Sequence, residues 1–121
     1  MIRRTHKYRA KQTVVDGHKF PSIAEAKRYC ELKILQQAGE IRDLALQPRF
    51  PLYGATLEGE RVDIRLGRMN RLACYVADFA YHDSTGKYRV EDVKGHDLPI
   101  AKLKRAIVKA CHGVEVEVIK R

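Results

Sequence analysis

Leu72-Ala73-Cys74-Tyr75-Val76-Ala77-Asp78-Phe79-Ala80-Tyr81-His82, the loop Ser84-Thr85-Gly86 and Tyr88-Arg89-Val90-Glu91-Asp92-Val93-Lys94 read as one β-hairpin. Gly86 in the last loop position suits the left-handed conformation that a three-residue hairpin loop needs. Reflecting the chain about Thr85 sets position 78 across from position 92. Strand side chains alternate between faces, so Asp92 and Lys94 project from one face while Glu91 and Val93 project from the other. This register puts Asp78 and Asp92 side by side and brings Lys94 out opposite Val76.

Two carboxylates directly opposed on a sheet repel. The flanking residues are apolar enough for central strands, where water screens such a pair poorly. A divalent cation between the acids relieves the repulsion, and hard oxygen ligands suit Mg²⁺ or Mn²⁺. A lysine beside such an ion can orient water or stabilise charge on a phosphate. A blander reading is a same-face ion pair between Asp92 and Lys94. A slip of one residue in the register would bring Glu91, in place of Asp92, to the face of Asp78.

Outward from this hairpin the chain reads as an α/β (α+β) domain. Thr13-Val14-Val15-Asp16-Gly17-His18-Lys19-Phe20 reads as a small hairpin around the Asp-Gly turn. Ser22 and Glu25 have the capping-box spacing for a first helix, which Gly39 closes. Ile23, Ala26, Cys30, Ile34 and Ala38 form its expected buried face. Gln47-Pro48-Arg49-Phe50-Pro51-Leu52 begins an extended segment. Over 54–71, Glu58-Gly59-Glu60 suggests a turn, and Val62, Ile64 and Leu66 alternate like a strand. A second helix over about 99–111 is expected to bury Ile100, Leu103, Ile107 and Ala110. Val114, Val116 and Val118 then alternate with glutamates in a last strand. The expected architecture is a mixed central sheet flanked by helices.

The chain has 121 residues, with 24 Lys+Arg against 15 Asp+Glu, a formal charge of +9 that favours polyanionic partners. Residues 1–12 form a basic arm (Arg3, Arg4, Lys7, Arg9, Lys11) without an acid, and 13–121 a single domain. Lys102, Arg105 and Lys109, with Lys104 beside them, make a second basic stripe placed to meet a phosphate backbone or simply solvent. Cys30, Cys74 and Cys111 lack metal-ligand spacing and suggest a reducing, cytoplasmic setting, with Cys74 and Cys111 buried. No apolar run is long enough to cross a membrane, and no phosphate-binding glycine motif points to a nucleotide cofactor. His-based nuclease motifs are missing, and Asn70 is the sole asparagine.

Asp78 followed by Asp92-Val93-Lys94 resembles the D…(D/E)-x-K signature of the PD-(D/E)XK nuclease superfamily. The surrounding stretches resemble, almost end to end, a family of small phage-encoded proteins of that superfamily. They include Lys7-Tyr8-Arg9, Phe20-Pro21-Ser22 with Glu25-Ala26 and Arg28-Tyr29, Leu46-Gln47-Pro48, Tyr75-Val76-Ala77-Asp78-Phe79 and Val90-Glu91-Asp92-Val93-Lys94-Gly95. Only 54–71 lacks a counterpart. The resemblance implies a restriction-endonuclease-like αβββαβ core and a metal-dependent DNA endonuclease encoded by a phage or prophage and acting in the bacterial host. Branched or junction DNA, as for phage Holliday-junction resolvases, would be its substrate. Asp78, Asp92 and Glu25 would hold Mg²⁺ or Mn²⁺, and Lys94 would position or activate water. Gln47 would support the site. Glu91 offers a second acid, but the spacing of Asp92 from Lys94 favours Asp92. For Glu25, helix capping remains the alternative to metal binding.

Two other functions are compatible with the sequence. One is a nucleic-acid-binding module that keeps the fold without cutting; the other is a structural or regulatory phage protein with a protein partner. With one site per chain, paired incisions would require a homodimer or two successive encounters.

Overall fold

The computed structural model describes residues 12–121. The arm residues Arg3, Arg4, Lys7, Arg9 and Lys11 lie outside the described residues. The chain opens with strands β1 (Thr13–Val15) and β2 (His18–Phe20), followed by helix α1 (Ile23–Gln37) and strand β3 (Arg42–Leu46). Short strands follow: β4 (Arg49–Pro51), β5 (Tyr53–Ala55), β6 (Arg61–Asp63), β7 (Arg65–Leu66), β8 (Arg71–Leu72) and β9 (Cys74–Val76). The chain ends with β10 (Phe79–His82), β11 (Tyr88–Lys94), α2 (Pro99–His112) and β12 (Val116–Lys120).

The main sheet has the order β12-β11-β10-β3, antiparallel except for the parallel pair β11–β12. It is therefore a mixed sheet in an α/β domain. Along this sheet alone the elements run helix, three strands, helix, strand. Residues 49–76 form an excursion of paired short strands between β3 and β10. The poorly patterned stretch 54–71 is thus two successive hairpin segments, β5–β6 and β7–β8.

Helix α1 packs on one face of the sheet, with Ala26, Tyr29 and Leu32 against Phe79, Tyr81 and Val93. On the other face Val108 of α2 meets Ala80 and Val90. Both helices are rotated from the faces that apolar spacing predicts. In α1, Ile23 and Ile34 are exposed, and so is Cys30. The larger apolar surfaces of Tyr29 and Leu32 are buried instead, and Arg28 is drawn to Glu91 of the sheet at 2.7 Å. In α2, Ile100 and Leu103 are both 56% exposed and Ala110 is exposed too. Tyr53 donates to the Cys111 carbonyl at 2.7 Å, which ties α2 to β5 in this rotation. Cys74 and Cys111 are half-buried, not enclosed as expected.

The run 72–82 is not one strand. It breaks at Ala73 and again at Ala77–Asp78, with β8 pairing to β7, β9 to β4, and β10 to β3 and β11. The neighbouring β3–β4 segment turns at the level of the second break, where Gln47 has φ 52°. Gln47 N–H donates to the Asp78 carbonyl at 2.9 Å, and Ala77 N–H donates to the Pro48 carbonyl at 3.1 Å. A kinked ribbon therefore crosses from the main sheet into the excursion, and Val76 does not face Lys94.

Candidate metal centre

The β10–β11 register is the one read from the sequence. Phe79 pairs with Glu91 and His82 with Tyr88, which centres the hairpin on Thr85. Local chemistry fixes it: Asp83 accepts from Thr85 N–H at 2.9 Å, and Gly86 takes a φ of 84°. At the far end the Asp78 N–H donates to the Glu91 carbonyl at 3.1 Å. The backbone ladder stops there, and the side chain takes over: Asp78 Oδ2 accepts from Val93 N–H at 2.7 Å. Beyond Glu91, then, β11 is flanked by β12 on one side and by the carboxylate of Asp78 on the other.

Asp92 is 2% exposed. The Tyr75 hydroxyl donates to its Oδ2, and Lys94 Nζ lies 3.7 Å from the same oxygen. The same-face ion pair is therefore real, and it sits inside an acidic cluster. Burial pushes the Asp92 carboxyl above its usual range, while Lys94 and Arg105 pull it down. Asp78 is likewise raised by burial, against the Val93 N–H and the Lys94 charge.

Glu25 joins the cluster from α1. Its N–H is capped by Ser22 Oγ at 3.1 Å, while its side chain shares a hydrogen bond with Asp78. Capping uses its backbone, so the carboxyl is free for the site. Its pKa is pushed up to about 7, by burial first and then by the charges of Asp78 and Asp92. Their contact raises Glu25 and lowers Asp78, so Glu25 is the one of the two that takes a proton more readily.

Glu91 belongs to the opposite face. Arg28 grips it through two 2.7 Å hydrogen bonds, and the Tyr81 hydroxyl adds a third. Burial pushes its pKa up, but these donors outweigh burial and hold it below the usual range. Between the two acids left open by the sequence, geometry puts Asp92 beside Asp78 and Lys94, and Glu91 in an ion pair beneath α1.

A cavity of about 260 Å³ opens beside the acids, lined by Glu25, Asp78 and Gln47 together with His18 and Lys19 of β2. Gln47 lies across from Asp78 in the kinked ribbon, so its main chain and the cavity wall it supplies both touch the site. The basic stripe on α2 is not continuous: Arg105 is only 12% exposed and ion-paired with Asp97, and its charge acts on Asp92. Lys102 and Lys109 remain exposed, Lys104 is half-buried, and Lys109 lies 3.5 Å from Glu115. Two contributors escaped the sequence reading. Tyr75 reaches Asp92 only because the ribbon kinks, and Lys19 reaches the cavity through the β1–β2 hairpin; neither carries a motif.

Among the described residues, no three His, Cys, Asp or Glu side chains stand as a ready-made cation cage. The two aspartates are held instead by Val93 N–H, the Tyr75 hydroxyl and Lys94. Carboxylate oxygens are the donor type that a hard divalent cation takes, but Glu25, Asp78 and Asp92 are not arranged here as a cage around one. No helix among the described residues is long and apolar enough to cross a membrane. No curated protein and no solved structure matches the chain. The family model described as "Protein of unknown function (DUF1064)" matches residues 5–119, nearly the whole length, and the chain belongs to that family.

Proposed function

We propose that this protein is a divalent-metal-dependent DNA endonuclease of the PD-(D/E)XK type. The observation that carries the reading is the convergence of Glu25, Asp78 and Asp92 with Lys94, from α1, the head of β10 and the end of β11. Their order along a helix–three strands–helix–strand sheet supports the same reading. So does the resemblance of the Asp78…Asp92-Val93-Lys94 pattern to that superfamily.

Asp78, Asp92 and Glu25 would hold Mg²⁺ or Mn²⁺. When bound, such an ion neutralises charge on the scissile phosphate and lowers the pKa of water. The remaining work falls to this chain's residues. Glu25 gives up its proton more easily once positive charge is present. Lys94, released from Asp92 Oδ2, is placed to orient water or to meet charge on the phosphate. Val93 N–H and the Tyr75 hydroxyl hold Asp78 and Asp92 in orientation. By the resemblance, branched or junction DNA is the substrate, and paired cuts need either a dimer or two encounters.

The test is cleavage of plasmid and of four-way-junction DNA over a series of divalent metals. Asp92→Ala should stop cutting while retaining DNA binding; cutting at the wild-type rate by this variant refutes the proposal. The protein donors already engaging the carboxylates favour a second reading, a nucleic-acid-binding module that does not cut. It predicts DNA binding unchanged by EDTA and no cleavage with any metal.

A further inference from the structure

Strands β7 and β8 form a hairpin that carries Arg65, Arg68 and Arg71, and no acid occurs from residue 64 to residue 77. All three arginines are exposed. Large apolar side chains are interleaved with them: Leu66 is 59% exposed, Met69 73% and Leu72 50%. Arg65 pairs with Leu72 and Leu66 with Arg71. Residues directly opposite share a face, so each face of the ribbon presents one guanidinium and one leucine. At the tip, Gly67 and Asn70 adopt positive φ (78° and 51°), and Arg65 Nη1 donates to the Asn70 carbonyl at 3.0 Å. The tip is thus a built turn, with Arg68 and Met69 at its apex.

The base of this ribbon is tied to the candidate centre. Ala73 N–H donates to the Ile64 carbonyl at 2.7 Å, and Leu52 N–H to the Ala73 carbonyl at 2.9 Å. Leu52, Ala73 and Tyr75 are buried in one cluster, and the Tyr75 hydroxyl touches Asp92. From Tyr75 back to Arg71 the chain is strand apart from Ala73, and these four steps span about 13 Å. The ribbon can therefore contact the flank of a duplex whose backbone lies at the carboxylates.

We infer that the Arg65–Leu72 hairpin is a DNA-gripping arm. Arg65, Arg68 and Arg71 engage phosphates beside the cleavage point, and Met69 rests against sugar and base edges in the groove. The identity of the partner rests on the nuclease reading, but the arm's contribution to binding is measured without cleavage. An antiparallel ribbon fits a DNA groove, and a guanidinium forks onto phosphate oxygens. An anionic membrane surface would also attract arginine with leucine, but it presents no phosphodiester to the neighbouring acids.

The experiment measures binding of a labelled DNA duplex by anisotropy over a salt series, in the cleavage-silent Asp92→Asn background. Replacing Arg65, Arg68 and Arg71 together with serine should weaken binding about tenfold or more and reduce the log–log salt slope by about 2–3. Replacing the three with lysine should retain most of the slope, and both sets should melt at the temperature of the parent. Unchanged affinity and slope in the serine set overturns the inference. So does a lysine set that binds as poorly as the serine set and melts earlier, which marks a structural role. Loss of binding to anionic vesicles with DNA binding intact also overturns it. Full cutting by Asp92→Ala refutes the nuclease reading alone, because the slope change would still report the arm.

Discussion

The Val93 N–H donates to Asp78 Oδ2 at 2.7 Å, so a carboxylate completes a ladder from which the backbone of its own strand has just departed. The bond orients Asp78 beside Asp92 and, at the same time, holds the end of β11. Structure and chemistry should separate by substitution. Asp78→Asn keeps a carbonyl oxygen for Val93 and should fold with stability close to the parent. Asp78→Ala leaves the N–H unanswered and should cost about 1–3 kcal/mol. Both should abolish metal-dependent cutting. Parallel denaturant titrations and cleavage assays distinguish the two effects, and an active Asp78→Asn would remove Asp78 from the reacting centre.

Glu25 gives a pH signature. Its folded pKa, about 7, lies above the ordinary glutamate value of 4.5, so its protonated form is the one that folding favours. The stability it contributes is complete below about pH 4.5 and is lost as pH rises through 7. In EDTA the melting temperature should therefore fall across this window, and Glu25→Gln should flatten the fall and melt higher than wild type at alkaline pH. Added Mg²⁺ or Mn²⁺ should stabilise wild type more than the variant. Identical pH profiles for the two proteins would contradict the raised pKa of Glu25.

Arg28 and Glu91 form a forked ion pair whose glutamate side chain is 2% exposed. Removing the guanidinium strands a buried carboxylate, and Arg28→Ala should destabilise by about 3–5 kcal/mol. Arg28→Lys should recover only part of this, because an ammonium cannot fork onto both oxygens. Combining Arg28→Ala with Glu91→Leu should restore some of the loss. Urea denaturation of the set measures the coupling; a mild single-mutant effect would show that the pair is not what holds α1 in rotation.

Tyr75 orients Asp92 without carrying charge to the reaction. Tyr75→Phe retains the ring in its cluster and deletes only the hydroxyl. Loss of a partner that orients a metal ligand typically costs about 10–100-fold in metal affinity or activity. The expected outcome is a higher Mn²⁺ requirement for cutting with DNA affinity unchanged. Wild-type metal dependence in Tyr75→Phe would show that Asp92 is held well enough by Lys94 and the backbone.

Local chemistry was sufficient for the β10–β11 hairpin. The Asp83 turn and the left-handed Gly86 set the register from neighbours in sequence, which is why the pairing of β10 with β11 is legible without coordinates. The first helix start was legible for the same reason, since Ser22 caps it three residues before Glu25. What only the tertiary structure decided involves partners distant along the chain. The break at Ala77–Asp78 depends on Gln47 and Pro48 crossing it, and that break turns Tyr75 onto Asp92. The rotation of α1 follows Arg28 toward Glu91, 63 residues away, against the apolar spacing of Ile23 and Ile34. Periodicity counts side chains along one element, whereas a buried charge is stable only where another element supplies its counterpart; the second condition outweighed the first.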